Sequence, residues 1–280
     1  MAVKFIIDAG SDLTQEQAQA MGVTLIPMTV RFGAKEFRSG VDITNEEFYS
    51  KLATAKELPT TSQPTPYDFA QVYQQVKDAG DEAIVLCVSS ALSGTYQSAV
   101  IAAAEYADYI HVIDTKAVSI AQKILLDYAI RLQKHGTSTK EIVAELERKK
   151  EDVCAYGAVD TLEYLIKGGR LSKTAGAVGS VLGIRPVLHL SNGELSVAAK
   201  ARGAKAAITM THDLVAQVGV DHSMPTGIGY TGNDPSVISP YLEAPNSVWA
   251  GYEVPVYNVG STVGTHTGPG LFIAAFFKKS

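Results

Sequence analysis

Hydrophobic and polar positions alternate along the first half of the chain as short β-rich runs separated by longer amphipathic stretches. VKFII (3–7) predicts a strand, and the segment from Thr14 to Met21 predicts a helix capped by Thr14, with Gln17 three places on as its capping-box partner. The apolar run VTLIPMTVRF (23–32) follows, then a polar Gly-containing stretch and a helix around Asn45–Leu52. Three prolines in ELPTTSQPTP (57–66) exclude both a helix and a central strand there. Beyond them the pattern predicts a helix over Tyr67–Asp78, a strand over 83–88, a helix from Thr95 and a strand over 110–113. A helix ending before His135 and a polar helix over Thr139–Glu151 complete the half. Strands separated by helices of this length predict a parallel, doubly wound sheet.

From about residue 153 the pattern changes. VCAYGAV predicts a strand, and RPVLHLSNGELSVAAKAR predicts a hairpin, because Asn192-Gly193 between two apolar-rich runs suits a two-residue turn with positive φ. GIGYTG, EVPVYNV and LFIAAFF add three strands, with helices around 204–218 and 236–243. Hairpin pairing with segregated helices predicts a second, α+β domain. The boundary falls near 152–158, giving domains of 1–155 and 156–280.

A length of 280 residues suits two domains, and 46% hydrophobic with 19% charged residues is the composition of an ordered globular protein. The net charge of −5, with no basic block, argues against nucleic acid and against standing attachment to an anionic membrane. No run reaches the roughly 18 apolar residues of a spanning helix, and no basic segment precedes a long apolar run at the N-terminus. Cys87 and Cys154 both fall in predicted strands, as buried reduced thiols of a cytosolic protein would.

In a doubly wound sheet, ligands collect outside the carboxyl ends of the strands. Three loops have that position: DAGSD (8–12), SSALSGT (89–95) and DTKAVS (114–119). The second places Ser89, Ser90, Ser93 and Thr95 at a helix start, with Gly94 allowing close backbone approach. Helix capping explains those hydroxyls as well as an anion seat does. Thr60, Thr61 and Ser62 form a second hydroxyl cluster held extended by flanking prolines. The third cluster is GTHTGPG (264–270), read as a tight irregular turn presenting His266 between threonines. The fourth is LIKGGRLSKTAG (165–176), with Arg170 after two glycines, and Arg202 follows in KARG. Ser93 stands outside any G-x-S-x-G elbow, no His pair or C-x-x-C has metal-ligand spacing, and neither a Walker A loop nor G-x-G-x-x-G occurs. An active site of its own is therefore not expected, and a stand-alone acyl hydrolase using Ser93 or His266 is the weakest reading.

Taken together and in order, TTSQPTP (60–66), VSSALSGTYQSA (88–99), VIDTKAVS (112–119), LIKGGRLSKTAG, KARG (200–203) and GTHTGPG resemble the DegV family of bacterial fatty-acid-binding proteins from end to end. The resemblance implies an N-terminal three-layer α/β/α domain carrying carboxylate-binding loops, and a C-terminal α+β domain completing a tunnel for one long-chain fatty acid such as palmitate. It implies no cofactor and no catalysis, with Thr61, Ser62 and Ser93 holding the carboxylate and His266 and Thr267 close to it. It further links Arg170 and Arg202 to presentation of that carboxylate to a separate ATP-dependent fatty-acid kinase. A lipid carrier without a kinase partner is the alternative. The first loop departs from the family's D-S-T-x-D-L: Ala9 stands where a hydroxyl is usual, while Asp8 and Asp12 are retained. VTLIPMTV, AVGSVLGI and LFIAAFF are candidates for the tunnel wall, and core packing explains them equally well.

Overall fold

Thirteen strands organise the described residues. In order they are β1 (Val3–Asp8), β2 (Val23–Ile26), β3 (Thr29–Phe32), β4 (Lys35–Arg38), β5 (Thr60–Ser62), β6 (Glu82–Cys87) and β7 (Ile110–Asp114). The second half adds β8 (Val153–Ala158), β9 (Ile184–Ser191), β10 (Glu194–Arg202), β11 (Gly227–Tyr230), β12 (Val256–Asn258) and β13 (Phe272–Phe277). The computed structural model describes residues 2–172, 183–245 and 247–279.

The predicted parallel sheet is present, with strand order β2-β1-β6-β7. Its central strands read VKFIID and EAIVLC, near-continuous apolar runs of the kind required when both faces are covered. Ile6, Val85 and Cys87 turn toward Phe69, Tyr73 and Ala99 of the helices Pro66–Asp78 and Thr95–Ala103. Phe5, Ile7, Ile84 and Leu86 turn the other way, toward the helices Ile120–Lys134 and Thr139–Lys149. Helix starts follow local chemistry: Thr14, Thr44, Thr65 and Ser138 each close a capping box with the residue three places on.

The second sheet runs in the order β10-β9-β8-β13-β11-β12, antiparallel except for the β11–β12 pair. At the β9–β10 turn, Asn192 (φ 51°) and Gly193 (φ 85°) both take positive φ, the two-residue geometry that Asn-Gly predicts. One face packs on the helix Ala204–Val218 together with Tyr241 and Trp249. The other shares a core with the parallel sheet: Ala155, Leu190, Ala275 and Phe277 meet Ile120, Ile124 and Leu125. The helix Ile120–Lys134 is thus a layer common to both sheets, which accounts for a run from Ile120 to Leu126 buried without interruption. This is an α/β fold built on one parallel and one mixed sheet.

Two segments differ from the sequence-based expectation. VTLIPMTVRF divides at Pro27 between β2 of the parallel sheet and β3 of a small antiparallel sheet ordered β4-β3-β5. Pro27 has no N–H for a ladder, so the chain changes sheet there. GTHTGPG is only in part an irregular turn. Its residues up to Thr267 close the helix Ser261–Thr267, and the chain leaves the helix at Gly268 (φ 68°). Cys87 and Cys154 are both buried and free.

Candidate functional site

The loops after β1, β6 and β7 are stitched to one another. The Asp8 carboxylate accepts from Gly10 N at 2.8 Å and from Val88 N at 2.7 Å, while Ser119 N donates to Gly10 O at 2.6 Å. The hairpin tip then docks on this crevice, where Ser89 Oγ donates to Gly193 O at 2.7 Å. The crevice at the carboxyl ends of the parallel strands is thus covered by the mixed sheet, and Gly10, Val88, Ser93 and Ser119 from its loops line a cavity between the two sheets.

The space between its walls, counted together with its opening to solvent, is about 810 Å³. Its floor is the inner face of the mixed sheet. Gly157 lies between Leu188 and Ile273 in the strand register, and Ala155 lies between Leu190 and Ala275. The two small residues on β8 share a face, since i and i+2 do, and leave a furrow flanked by Leu188, Leu190 and Ile273, with Ala275 small on its fourth side. Met28, Val88, Leu92 and Val118 roof it from the N-terminal half, so the body of the cavity is apolar.

Five polar residues gather at one end, with Ser119 and Thr262 set apart from them in the wall. Thr61, Ser93, Arg170, His266 and Thr267 all line it. Thr61 Oγ1 lies 2.8 Å from His266 Nε2, and Ser93 Oγ lies 2.8 Å from Thr95 Oγ1. Gln63 latches the two hydroxyl clusters together: its Nε2 donates to Ser98 Oγ at 3.0 Å, and its side chain rests where a Cβ on Gly94 would stand. The motif glycine is thus needed for close approach.

Burial, and then the nearby charge of Arg170, hold the His266 ring down at about 4, so it is neutral at physiological pH. Its Nδ1 has no partner among the described residues and faces Gly168, whose lack of a Cβ makes room for the ring. Arg170 is half-buried and desolvated, which lowers its guanidinium from the ordinary value. Its Nε donates to Leu92 O at 3.0 Å and its Nη1 to Gly168 O at 2.7 Å. A second, open pocket of about 1270 Å³, bordered by Lys56, Glu57, Glu163 and Lys167, shares Thr61, Arg170 and His266 with the first. These three residues are the partition between an apolar interior and an outward-facing pocket.

A family model described as "Uncharacterised protein, DegV family" matches residues 2–279. The chain belongs to the DegV family. A DegV domain-containing protein of Caldanaerobacter subterraneus subsp. tengcongensis is 32% identical over 272 residues, covering 95% of each chain. Among solved structures, a DegV family protein from Thermus thermophilus, described by its fatty-acid binding, superposes with a TM-score of 0.87 at 31% identity, covering 99% of this chain and all of the other. DegV of Bacillus subtilis, described as a fatty acid binding protein, gives 0.84 at 31% identity, with 99% and 100% covered.

Within this DegV fold, five of the seven expected residues converge on the polar end. Ser62 does not: it is exposed and absent from the cavity lining, because alternation on β5 turns it to the face opposite Thr61. Arg202 ends β10 in an exposed position and lines neither pocket. Ala9 is buried under the first loop and does not line the cavity. Of the wall candidates, Met28, Leu271 and Ile273 do line it, while residues 177–182 of AVGSVLGI and 173–176 of the GGR motif lie outside the described residues. Sequence reasoning missed Ala155, Gly157, Leu188 and Leu190. Period-2 alternation through VCAYGAV and RPVLHLS marks them as one face, but not as the face toward a ligand. Among the described residues no cluster of three or more His, Cys, Asp or Glu could hold a metal ion, and no helix is long and apolar enough to cross a membrane.

Proposed function

We propose that this protein binds one long-chain fatty acid, palmitate or a chain of similar length, with its tail in the furrow along β8 and its carboxylate at Thr61 and Ser93. The observation that carries the reading is an apolar cavity closed at one end by hydroxyls and a neutral histidine. Burying about 16 carbons at ~0.8 kcal/mol each offers on the order of 10 kcal/mol, from which ordering the chain removes several. The apolar wall supplies affinity and the polar end supplies orientation.

A neutral His266 protonated on Nε2 donates to Thr61 Oγ1, leaving the Thr61 hydrogen for the carboxylate. Thr95 likewise donates through its hydroxyl and its backbone N–H, 3.3 Å away, to Ser93 Oγ and frees the Ser93 hydrogen. Both hydroxyls are then donors held ready from behind, and neither is a charge that would be costly to bury. Thr267 lines the same end, with its own hydroxyl on Val263 O at 3.1 Å.

In this reading the protein is a non-catalytic, cytoplasmic carrier that presents the carboxylate to a separate ATP-dependent fatty-acid kinase through the open pocket, with Arg170 at the partition and Arg202 on the partner-facing surface. Residues 1–155 form the domain carrying the head-group loops and 156–280 the domain completing the tunnel. Ala9, lacking the usual hydroxyl, favours a second reading, in which lipid is carried without a kinase. Mass spectrometry of material extracted from the purified protein tests the binding: a long-chain fatty acid is expected. Absence of co-purified lipid together with failure to take up added palmitate would sink the proposal. Adding fatty-acid kinase and ATP to the loaded protein separates the two readings by whether acyl phosphate appears.

A further inference from the structure

Thr262 is a polar residue in an apolar wall. It is 6% exposed, lines the cavity, and its Oγ1 has no hydrogen-bond partner among the described residues. Other threonines of the same helix turn their hydroxyls back on it: Thr265 donates to Ser261 O at 2.8 Å and Thr267 to Val263 O at 3.1 Å. Thr262 stands in the first turn, where the residue four places earlier, Asn258, is in β12 and offers no helical carbonyl. Valine would fill nearly the same volume without stranding a hydroxyl, so an apolar tail alone gives no reason for threonine here.

Thr262 is separated from the carboxylate end. His266 lies four residues on and therefore about one turn away on the same helix face, a displacement of about 6 Å along the axis. His266 borders the open pocket and Thr262 does not, so Thr262 faces the deeper part of the cavity. A second hydroxyl is fixed to the same end of this helix. One oxygen of the buried Asp12 carboxylate accepts from Ser119 Oγ, and the other accepts from Gly260 N at 2.9 Å, two residues before Thr262. Ser119 also lines the cavity, and at about pH 8, where Asp12 is ionised, its hydrogen lies on that carboxylate and its oxygen meets the interior as an acceptor. The wall thus presents a donor in Thr262 and an acceptor in Ser119, the complement of an alcohol.

We propose that the cavity holds a second polar subsite, formed by Thr262 and Ser119, that recognises a hydroxyl group on the acyl chain itself, making hydroxylated fatty acids the preferred ligand class. This rests on the fatty-acid reading and adds a demand that a plain hydrocarbon tail does not meet. A matched alcohol gives Thr262 its missing partner, whereas an unsubstituted chain buries it unpaired.

The test compares stearic acid with hydroxystearic acids hydroxylated at successive carbons from the carboxyl end, by displacement of a fluorescent fatty acid from the delipidated full chain. At least one positional isomer is expected to bind about tenfold tighter than stearic acid, the value of one net hydrogen bond. In Thr262→Val that preference falls to none while stearic acid binds as well or better, and Thr262→Ser keeps it; a melting curve for each variant confirms that it is folded. The inference is overturned if no isomer outbinds stearic acid, or if the preference survives in Thr262→Val. It is also overturned if Thr262→Val weakens every acid by the same factor, which would make Thr262 part of the carboxylate seat. Failure of all acids to bind the unmodified chain would instead overturn the fatty-acid reading itself.

Discussion

Thr61 and Ser93 each have a neighbour behind the hydroxyl, His266 in one case and Thr95 in the other. Removing a hydroxyl that donates to a buried carboxylate costs on the order of 1.5–3 kcal/mol, so Ser93→Ala should weaken palmitate binding roughly ten- to a hundredfold in a displacement assay. Unchanged affinity would remove Ser93 from the head-group seat. Because His266 is held at about 4, its contribution should be constant between pH 6 and 8, and palmitate affinity should show no histidine step in that window. Asp12 behaves oppositely: burial pushes it up to about 7, against the hydrogen bonds from Ser119 and Gly260. The unfolded chain releases this proton near pH 4 while the folded one retains it, so stability is lost as pH rises from about 4 to 7. Asp12→Asn should lack that loss, and its stability relative to the unmodified protein should increase across pH 4–7 in urea titrations. A parallel pH dependence of the two proteins would contradict the assignment. The residue types at this site were legible in TTSQP, LSGT and HTG, because hydroxyls beside glycine and proline are conspicuous. Which hydroxyl faces inward was not: Thr61 and Ser62 are adjacent and chemically alike, and only the pairing of Thr61 with Val30 on β3 fixes the face.

At the scale of elements, β8 is the informative strand. Its inward residues Ala155 and Gly157 are small where three of their four register partners, Leu188, Leu190 and Ile273, are large. Ala155 lies two residues further than Gly157 from the strand end that leads to Arg170, roughly 6.8 Å deeper along the furrow. Ala155→Leu should therefore shorten the furrow, and lipid co-purifying with that variant should shift to shorter chains by mass spectrometry. The same chain-length distribution as the unmodified protein would place the tail elsewhere. Most elements were readable because their signals are local. Four capping boxes set helix starts, three prolines kept β5 at a sheet edge, and Asn-Gly set the hairpin. The helix Ser261–Thr267 was not readable from its glycines. Gly264 packs where a Cβ would meet Phe48 and Tyr49, so the residue that weakens the helix locally lets it dock tightly.

For the whole molecule, the decisive contact is the hairpin tip on the loops of the parallel sheet. Gly193 combines φ 85° with a site where an added Cβ would meet Ser89 Oγ. Gly193→Ala should lower stability by about 1 kcal/mol or more and weaken fatty-acid binding, because the tip that helps close the cavity would lift. A melting temperature and affinity equal to those of the unmodified chain would show that docking of the tip is dispensable. By itself the sequence determined what short-range physics controls: most strands and helices outside the small β4-β3-β5 sheet, the change from parallel to hairpin pairing near residue 153, and the hydroxyl-bearing loops. The tertiary structure alone decided which faces meet. A period-2 pattern marks two sides of a strand without saying whether either lines a core or a cavity, and Thr61 and His266, which meet at the polar end, are 205 positions apart. Burial by those distant segments then sets His266 neutral and leaves Thr262 without a partner among the described residues.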